Sequence, residues 1–102
     1  GRFFLEKLTE LYNKYEKIGD IRVIGLMGAV ELVKNRDTKE KAAELAEKIM
    51  YRCLDKGLSF KVSQGNVLTL MPPLIITQEE LSHAVILLDE AFSEELSGDD
   101  IR

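Results

Sequence analysis

The chain is poor in cysteine and proline, and it has neither tryptophan nor a long apolar run. A single cysteine, Cys53, cannot form an internal disulfide, so nothing in the sequence indicates an oxidising compartment. A helix that spans a membrane needs about 20 apolar residues, and apolar runs such as residues 84–88 are far shorter. No signal peptide is visible either. We therefore expect a soluble, cytoplasmic protein with no membrane partner.

Positive charge is also scarce, and it is scattered. The 102 residues include 14 Lys and Arg against 18 Asp and Glu, which gives a formal net charge of −4. A nucleic-acid-binding surface needs clustered cations to neutralise phosphates. We therefore expect no nucleic-acid partner.

Reactive side chains are few. His83 is the only histidine, and its spacing from the apolar residues around it places it at the side or the solvent face of a helix. Cys53 lies on the apolar stripe of another predicted helix, which is typical of a small core residue. Metal sites need three or four ligands at fixed spacing, and no such set is present. The residues alone therefore predict a domain with no catalytic or metal site of its own.

The helix predictions rest on apolar spacing and end signals. The first helix has one apolar stripe, and it is predicted to end at Gly19 and Asp20. It lacks an N-terminal cap, which suggests that it starts further upstream. A second helix is predicted over residues 38–56. In a third helix, Thr77 and Glu80 have the spacing of a capping box. The predicted stripe of the first helix consists of Phe4, Leu8, Leu11 and Tyr15.

The strand predictions rest on alternation and turn signals. Residues 21–33 are apolar on both faces, which predicts one strand covered on both sides and bent at Gly25 and Gly28. Residues 58–62 and 66–71 read as an antiparallel hairpin that Pro72 and Pro73 terminate.

These elements follow the order α-β-α-β-β-α. They predict an α+β fold in which a small, mainly antiparallel sheet of about three strands packs against helices as a two-layer sandwich. The chain has 45% hydrophobic residues, which is enough to form a packed core. We therefore expect a single domain over residues 1–102. Residues 97–102 are expected to fray as a tail.

Three short motifs, in this order, resemble one family of enzymes. They are "GLMGAVEL" from Gly25, "GN" before a short strand, and "PPLIIT" followed by Glu80. The arrangement is similar to the C-terminal small domain of class III (omega) aminotransferases of fold type I, which include 4-aminobutyrate and acetylornithine aminotransferases. The resemblance covers most of the chain.

The resemblance implies a division of labour within a longer protein. In the family, an upstream large domain carries the lysine that binds pyridoxal 5'-phosphate, the aspartate that pairs with its ring nitrogen and the phosphate cradle, while the small domain covers the site. The resemblance therefore implies a partner in the upstream large domain of the same chain, a homodimer, and amino acids and 2-oxo acids as small-molecule substrates. This part alone would bind no cofactor and would be inert.

Two residues depart from the family pattern. Many members have an arginine at the position of Thr69, where its guanidinium holds the substrate carboxylate through two hydrogen bonds. A threonine offers one neutral hydroxyl instead, so Thr69 is both a candidate substrate-binding residue and an ordinary strand residue. Val23 stands where the family often has glycine after Arg22.

Three functions remain open at this point. The first is transfer of an amino group between an amino acid or ω-amine and a 2-oxo acid. The second is amino-acid racemisation or epimerisation, which uses the same cofactor and also begins by removing the α-proton. The missing arginine favours this alternative, because some racemase-like members lack it. The third is a free-standing α+β interaction module, against which the uncapped first helix argues.

Overall fold

The computed structural model describes residues 2–73 and 75–96, and it confirms a two-layer α+β fold. The expected tail at residues 97–102 lies outside the described residues. The elements are α1 (Arg2–Lys14), β1 (Ile18–Ile24), β2 (Met27–Asn35), β3 (Glu40–Lys41), α2 (Ala43–Asp55), β4 (Lys61–Ser63), β5 (Val67–Leu70) and α3 (Gln78–Glu95). Within the described ranges, three helices cover one face of an open, five-stranded antiparallel sheet with the order β1-β2-β5-β4, and β3 pairs with β2.

The hydrophobic core lies between the three helices and one face of the sheet. The predicted stripe of the first helix is confirmed, since Phe4, Leu8 and Leu11 of α1 and Tyr15 just after it are almost fully buried. Leu68 and Leu70 supply the inward face of β5. The buried core also includes Ile18, Val30, Leu32, Ala46, Ile49, Cys53, Leu88, Ala91 and Phe92.

The prediction of one bent strand over residues 21–33 is wrong, because the chain reverses there and forms the β1–β2 hairpin. Ile24 pairs with Met27 at the closed end. Gly25 has a φ of +60°, whereas Leu26 has no positive φ. This is the geometry of a two-residue turn with glycine at its first central position, whose twist suits a hairpin. The two apolar halves of the segment are therefore neighbouring strands.

The first helix ends at Lys14, earlier than the predicted stop at Gly19 and Asp20, and both of those residues lie in β1. The last carbonyls of a helix lack partners within the helix. Here Arg36 provides donors for that turn: its Nη2 donates to the carbonyls of Tyr12 (2.7 Å) and Tyr15 (3.1 Å). A side chain distant in sequence thus closes the end of α1.

The predicted start of the second helix at residue 38 is also wrong. Residues Glu40–Lys41 form the short strand β3 against β2, and α2 begins at Ala43 without a side-chain cap. By contrast, the capping box of α3 is confirmed. Thr77 Oγ1 accepts from the Glu80 N–H at 3.0 Å, and Glu80 Oε1 accepts from the Thr77 N–H at 3.1 Å.

The predicted hairpin of the second half is confirmed as β4 and β5. Asn66 fixes the start of β5 against β2, because its carbonyl accepts from the Leu32 N–H at 2.8 Å and its Nδ2 donates to the Leu32 carbonyl at 2.9 Å. Asn66 is fully buried. These two hydrogen bonds to Leu32 give the "GN" motif a structural role. They also set the register that positions Thr69.

Candidate functional site

The face of the sheet that points away from the helices, called the outer face here, carries most of the polar side chains of the strands. Residues directly opposite each other in an antiparallel pair share a face. The pairings Arg22 with Ala29, Ala29 with Thr69, and Thr69 with Lys61 therefore form one row across all four main strands. Since Leu68 and Leu70 point into the core, Thr69 between them belongs to the outer face.

Thr69 is half-buried on β5 and lies near the middle of this row. Its Oγ1 is 3.1 Å from Ser63 Oγ on β4, and either hydroxyl can be the donor. The sequence predicted a strand position with Val67 and Met71 on the same face. In the structure Val67 is buried, whereas Met71 is 63% exposed.

Two cations flank Thr69 in the same row. Lys61 is its direct neighbour on β4, and it is exposed. Arg22 lies on the other side beyond the small side chain of Ala29, with its Nε 3.7 Å from Asp20 Oδ2. Sequence reasoning missed both residues. The alternation in "FKVS" and the hairpin register would have placed Lys61 and Ser63 beside Thr69.

One end of the outer face is apolar. Ile24 and Met27 pair at the closed end of the first hairpin, and Met71 follows β5 at the same end of the sheet. Ile24 is 72% exposed, and Ile75 in the following turn is 91% exposed. The outer face therefore offers an apolar end beside a polar, positively charged row.

The two other reactive side chains have the positions that the sequence predicted. His83 is exposed on α3. Cys53 is fully buried, and this burial raises the pKa of its thiol to about 11. Since the thiolate is the nucleophilic form, Cys53 is not an activated nucleophile.

The described residues do not by themselves fit pyridoxal phosphate, the cofactor that the resemblance implies. Such a site needs a lysine, a partner for the ring nitrogen and an anion cradle. The cavity of about 170 Å³ between α1, α3 and the segment after β5 is lined by apolar side chains and Ser59. At the N-terminus of α3, the capping box already occupies amides that could bind a phosphate.

Neither a metal site nor a membrane-spanning helix is present within residues 2–73 and 75–96. No group of three or more His, Cys, Asp or Glu side chains is arranged to hold a metal ion. No helix in these ranges has the length and apolar character needed to cross a membrane.

Comparison with known proteins gives a family match over most of the chain. The family model described as "Aminotransferase class-III" matches residues 1–92. Among curated relatives, the (R)-1-hydroxy-2-aminoethylphosphonate ammonia-lyase of Vibrio splendidus is 50% identical over 91 residues, which are 89% of this chain and 19% of that protein. The leucine/methionine racemase of Thermococcus litoralis is 40% identical, over 96% of this chain and 22% of that protein.

An aminotransferase and two solved structures complete the comparison. The acetylornithine aminotransferase of Caldanaerobacter subterraneus is 36% identical over 92% of this chain and 22% of its own length. A Bacillus anthracis aminotransferase structure has a TM-score of 0.85 at 34% identity, covering 92% of this chain and 22% of that one. A PMP-bound aminotransferase structure from Vibrio fluvialis has a TM-score of 0.81 at 30% identity, covering 89% and 20%. The chain thus spans about a fifth of the length of the curated relatives.

Proposed function

The chain belongs to the class-III aminotransferase family, and from this premise we propose that it is the C-terminal part of a pyridoxal-phosphate-dependent aminotransferase. The enzyme would transfer an amino group between an amino acid or ω-amine and a 2-oxo acid. The family match over residues 1–92 carries the proposal. The same match favours an enzyme over a free-standing interaction module.

The structure supports a covering role for this part of the protein. Helices already cover the inner face of the sheet, whereas the outer face leaves the Thr69 row and the apolar end around Ile24 and Met71 open. A surface that combines exposed apolar side chains with a polar centre is suited to close over a substrate site. We propose that the outer face turns toward the cofactor site of an upstream large domain, with Thr69 facing the substrate.

Several properties of the full-length enzyme follow from this proposal. The large domain would hold pyridoxal phosphate, because the residues described here do not fit it. The 102-residue chain would be catalytically inert alone, and the full-length enzyme would be a homodimer. The single, buried Cys53 suits a reducing compartment, so we place the enzyme in the cytoplasm.

The proposal is tested on the full-length protein. The purified enzyme should contain pyridoxal phosphate in about one-to-one ratio with the chain, measured by releasing the cofactor under denaturing conditions. Incubation with an amino donor should form more than one equivalent of product per enzyme only when a 2-oxo acid is supplied, with one new amino acid per donor consumed. The 102-residue chain, prepared in the same way, serves as the control and should bind no cofactor. A full-length protein without cofactor would refute the proposal.

A second candidate function needs no 2-oxo acid. Thr69 stands where many family members have an arginine, so the chain lacks a guanidinium at this position for a substrate carboxylate. The relatives named above include a racemase and an ammonia-lyase. We therefore keep racemisation or epimerisation, and beside them elimination of ammonia, as alternatives on the same cofactor. The test above separates them: loss of optical activity or release of ammonia without any 2-oxo acid would identify these reactions. The phosphonate in the name of the first relative supports an anionic amino compound as substrate.

A further inference from the structure

Three polar side chains of the β4–β5 hairpin form a compact group on the outer face. Lys61 lies directly opposite Thr69 in the antiparallel register. Ser63, two residues further along β4, shares that face, and its Oγ is 3.1 Å from Thr69 Oγ1. We call Lys61, Ser63 and Thr69 the hairpin triad. It combines one ammonium group and two hydroxyls on adjacent strands.

The charge of the triad comes from Lys61. Within residues 2–73 and 75–96, Lys61 makes no ion pair and no hydrogen bond through its side chain. Most other lysines among the described residues have a partner; Lys14 of α1 and Lys56 directly after α2, for example, pair with Asp89 and Glu94. An exposed, unpaired ammonium beside two hydroxyls favours an anion as the missing partner.

A second cation borders the same area. Three strand spacings of about 4.8 Å separate Arg22 from Lys61 along the row, and the two residues between them, Ala29 and Thr69, are small. Long basic side chains can lean over a floor of small residues. The row therefore has the unpaired Lys61 at one end and, at the other, Arg22, whose Nε lies 3.7 Å from Asp20 Oδ2.

The chemistry of the triad suits a tetrahedral oxyanion better than a carboxylate. An arginine would present a planar fork that matches the two oxygens of a carboxylate. The triad instead offers the point charge of Lys61, which has three donors, and one hydroxyl on each of the two strands, Ser63 on β4 and Thr69 on β5. Its donors therefore belong to three separate side chains and not to one planar group. A phosphonate or phosphate group has three oxygens in three directions and carries more charge than a carboxylate.

From this geometry we infer that the hairpin triad binds the tetrahedral oxyanion of the amino substrate, so that the enzyme selects aminoalkylphosphonates over the corresponding amino carboxylates. This inference rests on the proposed function, because it requires the outer face to turn toward the substrate. Lys61 supplies the charge, while Ser63 and Thr69 orient the oxyanion. Thr69 is then a specificity-determining residue, because it presents a hydroxyl where an arginine would present a planar guanidinium.

The test compares two probes that differ only in their acid group. Full-length holoenzyme is titrated calorimetrically with 2-aminoethylphosphonate and with β-alanine, which have the same amine and the same two-carbon spacer. The wild type should bind the phosphonate at least about tenfold more tightly. Inorganic phosphate is titrated as a third probe, and it should bind more weakly than 2-aminoethylphosphonate because it lacks the amine.

Charge variants separate the triad from general electrostatics. Lys61→Glu should weaken phosphonate binding roughly 10- to 100-fold and β-alanine binding less, whereas Lys61→Arg should keep the preference. Lys48→Glu, at an exposed position of α2, changes the net charge equally and should have no effect. β4 is an edge strand, and a charged side chain on an edge strand hinders pairing with a strand of another molecule. Lys61→Glu keeps a charge at this position, so the variant retains that protection. Thr69→Val provides a second variant, which should reduce the preference without changing any charge.

Each contrary result overturns the inference. These results are equal affinity for the two amines, failure of the phosphonate to bind, equal effects of Lys61→Glu and Lys48→Glu, and phosphate binding as tight as that of 2-aminoethylphosphonate. Phosphate binding that tight would mean that the row binds a free anion and not the acid group of an amino substrate. If the enzyme contains its cofactor but shows no phosphonate preference, the inference fails and the proposed function stands. If it contains no cofactor, the proposed function fails independently of the titrations.

Discussion

The ring of Phe4 on α1 occupies the space that a side chain at Gly28 would need. A Cβ at Gly28 would lie 2.6 Å from Cζ and 2.7 Å from Cε2 of that ring, and Phe4 is almost fully buried. The close approach explains why the "GLMG" segment has its second glycine: it lets the first helix pack on the centre of the sheet, directly behind the outer face.

Gly28→Ala should therefore destabilise the chain. Overpacking of this kind costs about 1–3 kcal/mol, measurable as a lower midpoint in urea unfolding. Phe4→Leu provides the matched test, since a smaller side chain leaves room for the new methyl group. In a double-mutant cycle, Gly28→Ala should cost less in the Phe4→Leu background than in the wild type. Strictly additive costs would contradict the contact.

The end of α1 shows which parts of the fold can be predicted from local sequence. The apolar stripe of α1 and the capping box of α3 depend on spacings within a few residues, and both were predicted. The stop at Lys14 depends on Arg36, whose guanidinium satisfies carbonyls of the last turn from 21 positions or more along the chain. No local glycine or cap marks this end, whereas the sequence signal for a helix stop lies at Gly19.

The first hairpin was missed for a related reason. A run that is apolar on both faces looks like one buried strand, and the turn at Gly25 and Leu26 lacks the polar residues that usually mark a reversal. For the candidate site, a strand position for Thr69 was predictable from alternation. The row that joins it to Arg22 was not, because it depends on β2 lying between β1 and β5, a non-local pairing.

Cys53 should react slowly with thiol reagents in the folded chain. Burial raises its pKa to about 11 from an ordinary value of 9.0, and the side chain is inaccessible. With a disulfide reagent at neutral pH, labelling should be much slower than for the urea-unfolded chain, since only the thiolate attacks. Rapid labelling of the native chain would show that this helix face is open.

The same shift predicts an alkaline loss of stability. The folded state holds the thiol proton of Cys53 more tightly than the unfolded state does. The contribution of this thiol to the free energy of unfolding is therefore complete below about pH 9 and disappears as the pH rises toward 11. The difference in unfolding free energy between the wild type and Cys53→Ala should therefore shrink over this range. A constant difference would contradict the raised pKa.

The ion pairs between α2 and α3 should show the opposite pH dependence. The hydrogen bond from Lys56, at 2.9 Å, is the main cause that lowers the pKa of Glu94. A lowered pKa stabilises the fold above the ordinary value of 4.5, and this contribution is lost as the pH falls through the lower, folded-state value. Glu94→Gln should therefore lower the urea midpoint at pH 7 and have a smaller effect at pH 3.

Exposure limits the size of this effect, since surface ion pairs contribute little and are screened by salt. Glu47→Gln is the matched control, because Glu47 is exposed on α2 and has no ion-pair partner within residues 2–73 and 75–96. It should show no change in its effect between the two pH values. Equal behaviour of the two variants would mean that the Glu94 pair does not stabilise the fold.

Thr69→Arg in the full-length enzyme should shift substrate preference toward dicarboxylates such as 2-oxoglutarate. The new guanidinium would project from β5 on the outer face between Lys61 and Ala29, where it can form two hydrogen bonds to a carboxylate. We expect kcat/KM for 2-oxoglutarate, relative to pyruvate, to rise by about tenfold or more. Thr69→Met, similar in length but uncharged, should produce no such shift. If Thr69→Arg leaves the ratio unchanged while the enzyme remains active, Thr69 does not face the substrate, because a charged fork at a substrate-facing position cannot be neutral toward a second carboxylate.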